Sequence, residues 1–197
     1  MPYHKEELTR SFLTIVAGEV AAELRVLGDY LGRPVRTSDV EPNTYALHLL
    51  GKSYTASDYA YAKHKWNELC RRIADFHATY DLLLTPTLAQ RPFRTGALQN
   101  TPAESRLVAF VNTLGIGAAV RSQVDPLAEK IYDWMPWTGF ANMTGQPSMS
   151  VPMHWTEEEN LPVGVMFTGR FGEEGLMFRL AGQLEKAAPW WGRVPEV

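Results

Sequence analysis

The sequence predicts a protein of the α/β class. Long stretches carry an apolar residue at every third or fourth position, which is typical of amphipathic helices. Three short apolar runs, each containing or flanked by proline or glycine, are typical of buried strands. At 197 residues, with 45% hydrophobic and 21% charged residues, the chain matches an ordinary globular protein. We therefore expect a single domain covering residues 1–197.

Two helices are predicted first. Apolar residues recur every three or four positions from Lys5 to Leu31, so this stretch should form one long helix that needs a partner surface. Pro42 is well placed to open a second, short helix, because proline is tolerated in a first turn. We expect Gly51 to close that helix.

The third helix has the clearest start signal. Thr55 and Asp58 have the spacing of a capping box, with Asp in place of the usual Glu. Aromatic and aliphatic residues then follow at helical spacing as far as Tyr80. Such a stripe is more often core packing than a cofactor site.

A strand and a fourth helix follow. The run from Asp81 to Thr87 is short and apolar, and Pro86 limits its ladder because proline has no N–H to donate. Thr101, Pro102 and Glu104 place an N-cap, a first-turn proline and a capping acid in register. A helix should run from there to about Leu114.

The last third begins with the bulky stretch Asp133–Trp137, which we interpret as a candidate pocket wall. A short helix over 138–144 should stop at Gly145, and strands are expected over 147–153 and 163–168. The acidic residues between them indicate a solvated hairpin tip. A final helix should end before Pro189.

Composition excludes several classes of protein. A net charge of -3 argues against a nucleic-acid surface, which needs clustered Lys and Arg. The one cysteine, Cys70, permits no internal disulfide, fits a reducing compartment, and is interpreted as an inert packed thiol. The sequence contains neither a secretory apolar region nor a run of about 18 apolar residues. We expect a cytoplasmic protein with no nucleic-acid or membrane partner.

The sequence itself shows no complete catalytic motif. None of its serines lies in a Gly-x-Ser-x-Gly elbow, and the five histidines lack metal-ligand spacing. Ser148 and Ser150 should share one face of a strand, where small residues that pack against a helix are the simpler interpretation. No metal or other cofactor is predicted.

The last third resembles the amidase signature family. The resemblance rests on Asn142-Met-Thr-Gly145-Gln-Pro147, on Leu161-Pro-Val-Gly164-Val-Met, and on Gly169-Arg170 followed by an acid. It covers about residues 55–192, and the tail Ala188-Pro-Trp190 is similar to that of 6-aminohexanoate cyclic dimer hydrolases. Met166 and Asn160 depart from the family pattern, which usually has Gln and Gly there.

The resemblance implies the C-terminal half of an amidase signature fold, with a mixed sheet covered by helices on both faces. In this family a lysine, a serine next to a cis peptide and a nucleophilic serine lie in the N-terminal half. We expect this chain to lack them and to show little hydrolysis alone. A sheet cut through its middle also exposes strand edges, so we expect association or aggregation.

Two functions remain open, with a third less favoured. The first is an amidase-family hydrolase fragment that supplies the pocket side for a small-molecule amide, complemented by the missing half. The resemblance and bulk of the side chains suggest a substrate-binding wall of Trp134, Trp137, Phe140 and Asn142, although simple packing is an alternative for each. The second is a noncatalytic interaction module, expected to be a homo-oligomer. The third is an enzyme that uses Ser148 or Ser150 as a new nucleophile.

Overall fold

A computed structural model describes residues 5–121 and 133–194. These residues group into two compact units. Among the described residues, the helical unit comprises 6–67 and 95–121, and the sheet unit comprises 5, 68–94 and 133–194. The single-domain interpretation of the sequence stays a prediction.

Most of the expected helices have the predicted bounds. The helices of the described residues are α1 (Lys5–Leu31), α2 (Pro42–Ser53), α3 (Ala56–His77), α4 (Pro102–Leu114), α5 (Gly117–Val120), which was not predicted, α6 (Thr138–Thr144) and α7 (Glu174–Ala187). Both predicted capping boxes are present. The backbone N–H of Thr55 donates to Asp58 over 2.8 Å, and that of Thr101 donates to Glu104 over 2.6 Å. Gly145 stops α6 as predicted, in the left-handed conformation with φ of 72°.

The predicted role of Gly51 is wrong, because α2 continues past it to Ser53. A Cβ atom at Gly51 would lie 1.9 Å from the carbonyl oxygen of Ala17, so glycine is needed there for α2 to approach α1. Leu13, Ala17 and Leu50 form the buried core of this contact. The glycine therefore serves helix packing and not helix termination.

In the part of the chain that the structure describes, the sheet has three antiparallel strands, β1 (Leu83–Pro86), β2 (Ser148–Trp155) and β3 (Pro162–Thr168), in the order β1-β3-β2. The α/β class is confirmed. The mixed sheet of the expected family fold would also include parallel pairs, and none occurs among the strands that the structure describes. Asn160 adopts φ of 50° in the β2–β3 hairpin, a conformation that favours the glycine of the family pattern.

The two faces of the sheet differ in chemistry. On one face Val151 and Phe167 pack with Met177 of α7 in a buried apolar cluster. The register places hydroxyl side chains on the other face, since Ser148 lies opposite Thr168. The hydroxyl residues on this side, called here the hydroxyl face, are Thr85, Thr87, Ser148, Ser150 and Thr168, and Leu83 and the buried Met166 lie on the same side.

Candidate functional site

The loop that follows β1, residues 87–94, is attached to the sheet and to the bulky segment near Trp134. The backbone N–H of Thr87 donates to the carbonyl oxygen of Gly164 over 2.9 Å. The N–H of Ala89 donates to the carbonyl oxygen of Trp134 over 3.0 Å. Arg91 forms ion pairs with Glu158 and Glu159 at the hairpin tip, at 3.3 and 3.7 Å. These contacts hold the loop beside the hydroxyl face.

An aromatic pair lies where the loop meets this segment. The rings of Phe93 and Trp134 are edge to face, with centroids 5.3 Å apart and an interplanar angle of 80°. This is a favoured geometry for two aromatic rings. Trp134 is half-buried, whereas Phe93 keeps 40% of its surface exposed. The pair thus offers aromatic surface beside the hydroxyl face.

The other three predicted wall residues occupy different environments. Trp137 precedes α6 and is half-buried, and its indole N–H has no hydrogen-bond partner among the described residues. Phe140 is fully buried, with 0% exposure, and Asn142 is exposed. The structure brings these residues onto one short segment. Their role as a substrate wall stays a prediction.

The hydroxyl face is largely bonded within itself. The Ser148 and Thr168 hydroxyls lie 2.6 Å apart, and the Ser150 and Thr87 hydroxyls lie 2.6 Å apart. Within the described part of the chain, each serine therefore has a threonine as its side-chain partner. A nucleophilic serine needs a base within hydrogen-bond reach, and a threonine hydroxyl is too weak a base for that role. The predicted placement of both serines on one face is confirmed by the register.

Gly164 allows the loop to approach the sheet so closely. A Cβ atom at this position would lie 2.5 Å from the Ser150 hydroxyl and 2.6 Å from the Thr87 hydroxyl. Real Cβ contacts are not that short, so any side chain would push the loop away. The geometry of the site thus depends on this glycine.

A separate cleft of about 470 Å³ lies elsewhere in the sheet unit, between the end of α3 and the end of α6. Its lining includes Cys70, His77, Gln146, Arg170 and Phe171. Arg170 donates to the carbonyl oxygen of His77 over 2.8 Å, and Gln146 donates to that of Gly169 over 2.7 Å. Arg170 and Gln146 therefore serve internal bonds, whereas the buried Nε2 atom of His77 has no hydrogen-bond partner among the described residues. Cys70 is half-buried there.

Among the described residues, the clearly displaced pKa values belong to groups of the helical unit. The Arg33 guanidinium hydrogen-bonds the Asp39 carboxylate and lowers its pKa to about 2. Burial, and then the nearby charge of Lys52, lower the pKa of His48. A hydrogen bond to Glu19 raises the pKa of Tyr59. Within the described ranges, no group of three His, Cys, Asp or Glu side chains is arranged to hold a metal ion.

Comparison with known proteins agrees with the motifs of the last third. A family described as Amidase matches residues 31–178 of this chain. The chain belongs to the amidase family. The match takes in β1, the loop after it, the aromatic pair and the hydroxyl face, so all parts of the candidate site lie within the family region.

The curated relatives of this amidase-family chain are much longer than it is. A putative amidase AmiC of Mycobacterium leprae is 38% identical over 122 residues, covering 62% of this chain and 21% of the relative. The 6-aminohexanoate-cyclic-dimer hydrolase of Pseudomonas sp. (strain NK87) is 26% identical over 192 residues, covering 95% of this chain and 35% of the relative. This chain thus spans about a third of that relative's length, or less for others.

Solved structures show the same relationship. A structure of 6-aminohexanoate cyclic dimer hydrolase superposes with a TM-score of 0.75 at 25% identity, covering 96% of this chain and 36% of that protein. A bacterial aryl acylamidase gives a TM-score of 0.68 at 20% identity, over 96% and 35%. The second comparison concerns the fold alone. None of the described helices is long and apolar enough to cross a membrane.

Sequence reasoning missed two features of the site. Phe93 lies in an irregular loop between Pro92 and Arg94, where no local pattern predicts a binding role. The one available signal was its position soon after a strand that ends in proline. The hydroxyl pairs were missed because they join residues 63 and 20 positions apart.

Proposed function

We propose that this chain forms the substrate-pocket side of an amidase-family hydrolase that cleaves a non-peptide C–N bond. The observation that carries the proposal is the aromatic pair of Phe93 and Trp134, held beside a hydroxyl-bearing sheet face within the family region. Ligand sites commonly combine aromatic walls with a few placed polar groups. This arrangement suits an uncharged amide.

The catalytic groups would come from outside this sequence. The resemblance implies a lysine and two serines in a segment that the motifs of this chain do not include. The partners of Ser148 and Ser150 support that view, because both serines bond to threonine and not to a base. We therefore propose low amide turnover by this chain alone and turnover when the catalytic segment is present.

The predicted wall residues would act in different ways within that pocket. Trp134 and Trp137 would contact the substrate directly, since both are half-buried. Phe140, at 0% exposure, would support the wall from behind. Asn142 is exposed and would supply a hydrogen-bonding amide.

The substrate class is suggested by the names of the relatives. One acts on the 6-aminohexanoate cyclic dimer, and a relative from Enterococcus faecalis, 28% identical over 196 residues, is a lipoamidase. Both names describe amides other than ordinary peptide bonds. We propose a non-peptide amide with an apolar part for this protein as well, acting in the cytoplasm without a cofactor.

A chimera tests the proposal. The matching third of the Pseudomonas relative would be replaced by this chain, and hydrolysis of the 6-aminohexanoate cyclic dimer and of a panel of anilides would be measured. We expect turnover by the chimera and none above background by either part alone. A chimera that folds, judged by a cooperative thermal melt, yet hydrolyses no amide in the panel would refute the proposal.

A second function, a noncatalytic interaction module, is favoured by one observation in the helical unit. Leu107, Phe110 and Leu114 follow one another at helical spacing along α4 and are each more than half exposed, at 51%, 57% and 55%. Such an apolar stripe is typical of a surface that contacts another protein. A homo-oligomer would cover it.

Sedimentation distinguishes the two functions. If the interaction module is correct, the chain sediments as an oligomer, and Phe110→Glu converts it to a monomer while Tyr61→Glu, at a site 64% exposed on α3, does not. A monodisperse monomer that melts cooperatively at high concentration would rule out the oligomeric module.

A further inference from the structure

Phe93 is held in place before any ligand binds. Single exposed apolar residues are common and do not by themselves indicate a binding site. Here the loop around Phe93 is bonded on its N-terminal side through Thr87 and Ala89, and its ring meets Trp134 at 80°. A preorganised aromatic residue loses little entropy when a ligand binds.

The two rings form a corner that suits a flat or extended apolar group. With their planes nearly perpendicular and centroids 5.3 Å apart, one ring presents a face beside the edge of the other. A third ring or a methylene chain can contact both at once, in the offset or edge-to-face arrangements that aromatic groups favour. The 40% exposure of Phe93 leaves room for this contact.

The charges near the corner favour a neutral ligand. Arg91, two residues before Phe93, already forms ion pairs with Glu158 and Glu159, and the charged chain neighbours of the two rings, Arg94 and Asp133, are of opposite sign. Ser150 is exposed, and its hydroxyl, 2.6 Å from that of Thr87 in the same loop, can hydrogen-bond an amide group without adding charge. A charged substrate gains nothing from these groups.

We propose that Phe93 determines specificity by binding, together with Trp134, the apolar part of an uncharged amide substrate. This inference rests on the proposed function for the kind of ligand, and it adds a residue outside the predicted wall. In this proposal Phe93 touches the apolar part of the substrate and takes no part in the chemistry. Substrates with an aromatic or methylene group next to the amide are therefore preferred over acetamide.

The test measures binding by the full chain and needs no turnover. The chain would be labelled with 5-fluorotryptophan, and the Trp134 signal assigned in fluorine NMR through Trp134→Phe. Titration with N-phenylacetamide should shift this signal and give a dissociation constant, whereas acetamide should not shift it. We expect Phe93→Ala to weaken N-phenylacetamide binding by about 3- to 10-fold, as the loss of one aromatic contact implies.

Phe178→Ala is the matched control, because Phe178 is 78% exposed on α7 and lies outside the corner. It should leave the dissociation constant unchanged. Phe93→Leu keeps the apolar volume and should weaken N-phenylacetamide binding more than hexanamide binding. This variant tests the role of the Phe93 ring if Phe93→Ala does not fold.

Three results of the binding experiment overturn the inference: no shift of the Trp134 signal, equal dissociation constants for the wild type and both Phe93 variants, or a loss of binding in Phe178→Ala equal to that in Phe93→Ala. The proposed function fails separately, when the chimera lacks turnover. The chimera gives a further test. If it is active and Phe93→Ala leaves its ratio of kcat/KM for anilides over aliphatic amides unchanged, the inference is overturned and the proposed function stands.

Discussion

The hydroxyl oxygens of Thr87 and Ser150 lie 2.6 Å apart, and they can do so because the residue beside them on β3 is Gly164. This contact joins the loop after β1 to the middle of β2. It therefore couples the position of the loop to the position of the sheet. Any side chain at Gly164 would have to separate them.

Gly164→Ala should lower the free energy of unfolding by about 1–3 kcal/mol, because the added methyl overpacks the loop against the sheet. Gly182→Ala is the control, since Gly182 lies inside α7 with no atom near its added Cβ. That variant should gain about 0.5–1 kcal/mol from helix propensity. Urea denaturation of both variants checks the pair, and equal effects would contradict the role given to Gly164.

The hydrogen bond that Arg170 donates to the backbone should contribute more to the free energy of unfolding than its ion pair does. It donates to the His77 carbonyl oxygen over 2.8 Å and to Asp81 over 2.7 Å, but the Asp81 side chain is 74% exposed. Exposed ion pairs contribute little, so Asp81→Asn should cost under about 0.5 kcal/mol. Arg170→Lys keeps the charge, loses the planar fork and should cost about 1–3 kcal/mol in urea denaturation. A larger loss of stability in Asp81→Asn than in Arg170→Lys would contradict this ranking.

The Ser148–Thr168 pair predicts a non-additive double mutant. Thr168 is 1% exposed, and its hydroxyl lies 2.6 Å from that of Ser148. Ser148→Ala leaves the buried hydroxyl without its partner and should cost about 1–3 kcal/mol. Adding Thr168→Val removes that hydroxyl and should restore most of the loss. Thermal melts of the single and double variants measure the coupling, and simple additivity would exclude it.

Asp39 should make the helical unit sensitive to acid. Its carboxylate accepts hydrogen bonds from the Arg33 guanidinium and from the Arg36 backbone, and its pKa falls from 3.8 to about 2. Because this pKa is depressed in the folded state, the stability it contributes is complete above about pH 4 and is lost as the pH falls through about 2.

The stability difference between the wild type and Asp39→Asn should therefore be constant from pH 7 to about pH 5 and shrink between pH 4 and 2. Urea denaturation at a series of pH values measures it. High salt should weaken the effect, because this pair lies near the surface. A difference that grows on acidification would contradict the assignment.

Local features of the fold were readable from the sequence. The capping boxes at Thr55 and Thr101 were predicted from residues only three positions apart, and the structure confirms both. The strands β2 and β3 were predicted within about two residues, since apolar runs and turns are also local signals. The family was recognised from Asn142, Gly145 and Arg170 for the same reason, because these motifs are short and contiguous.

Contacts between distant parts of the chain were not readable in this way. Gly51 looked like a helix terminator, and only its distance to the Ala17 carbonyl oxygen shows that it permits helix packing. Phe93 was not predicted to be part of the site, and only the structure shows that its ring centroid lies 5.3 Å from that of Trp134.

The sequence by itself thus determined most of the helices, the strands, the charge balance and the family, because each depends on neighbouring residues or on composition. The tertiary structure decided which serines bond to which threonines and which aromatic rings meet. Those contacts join residues tens of positions apart, and their geometry follows from strand register and close packing and not from any local pattern.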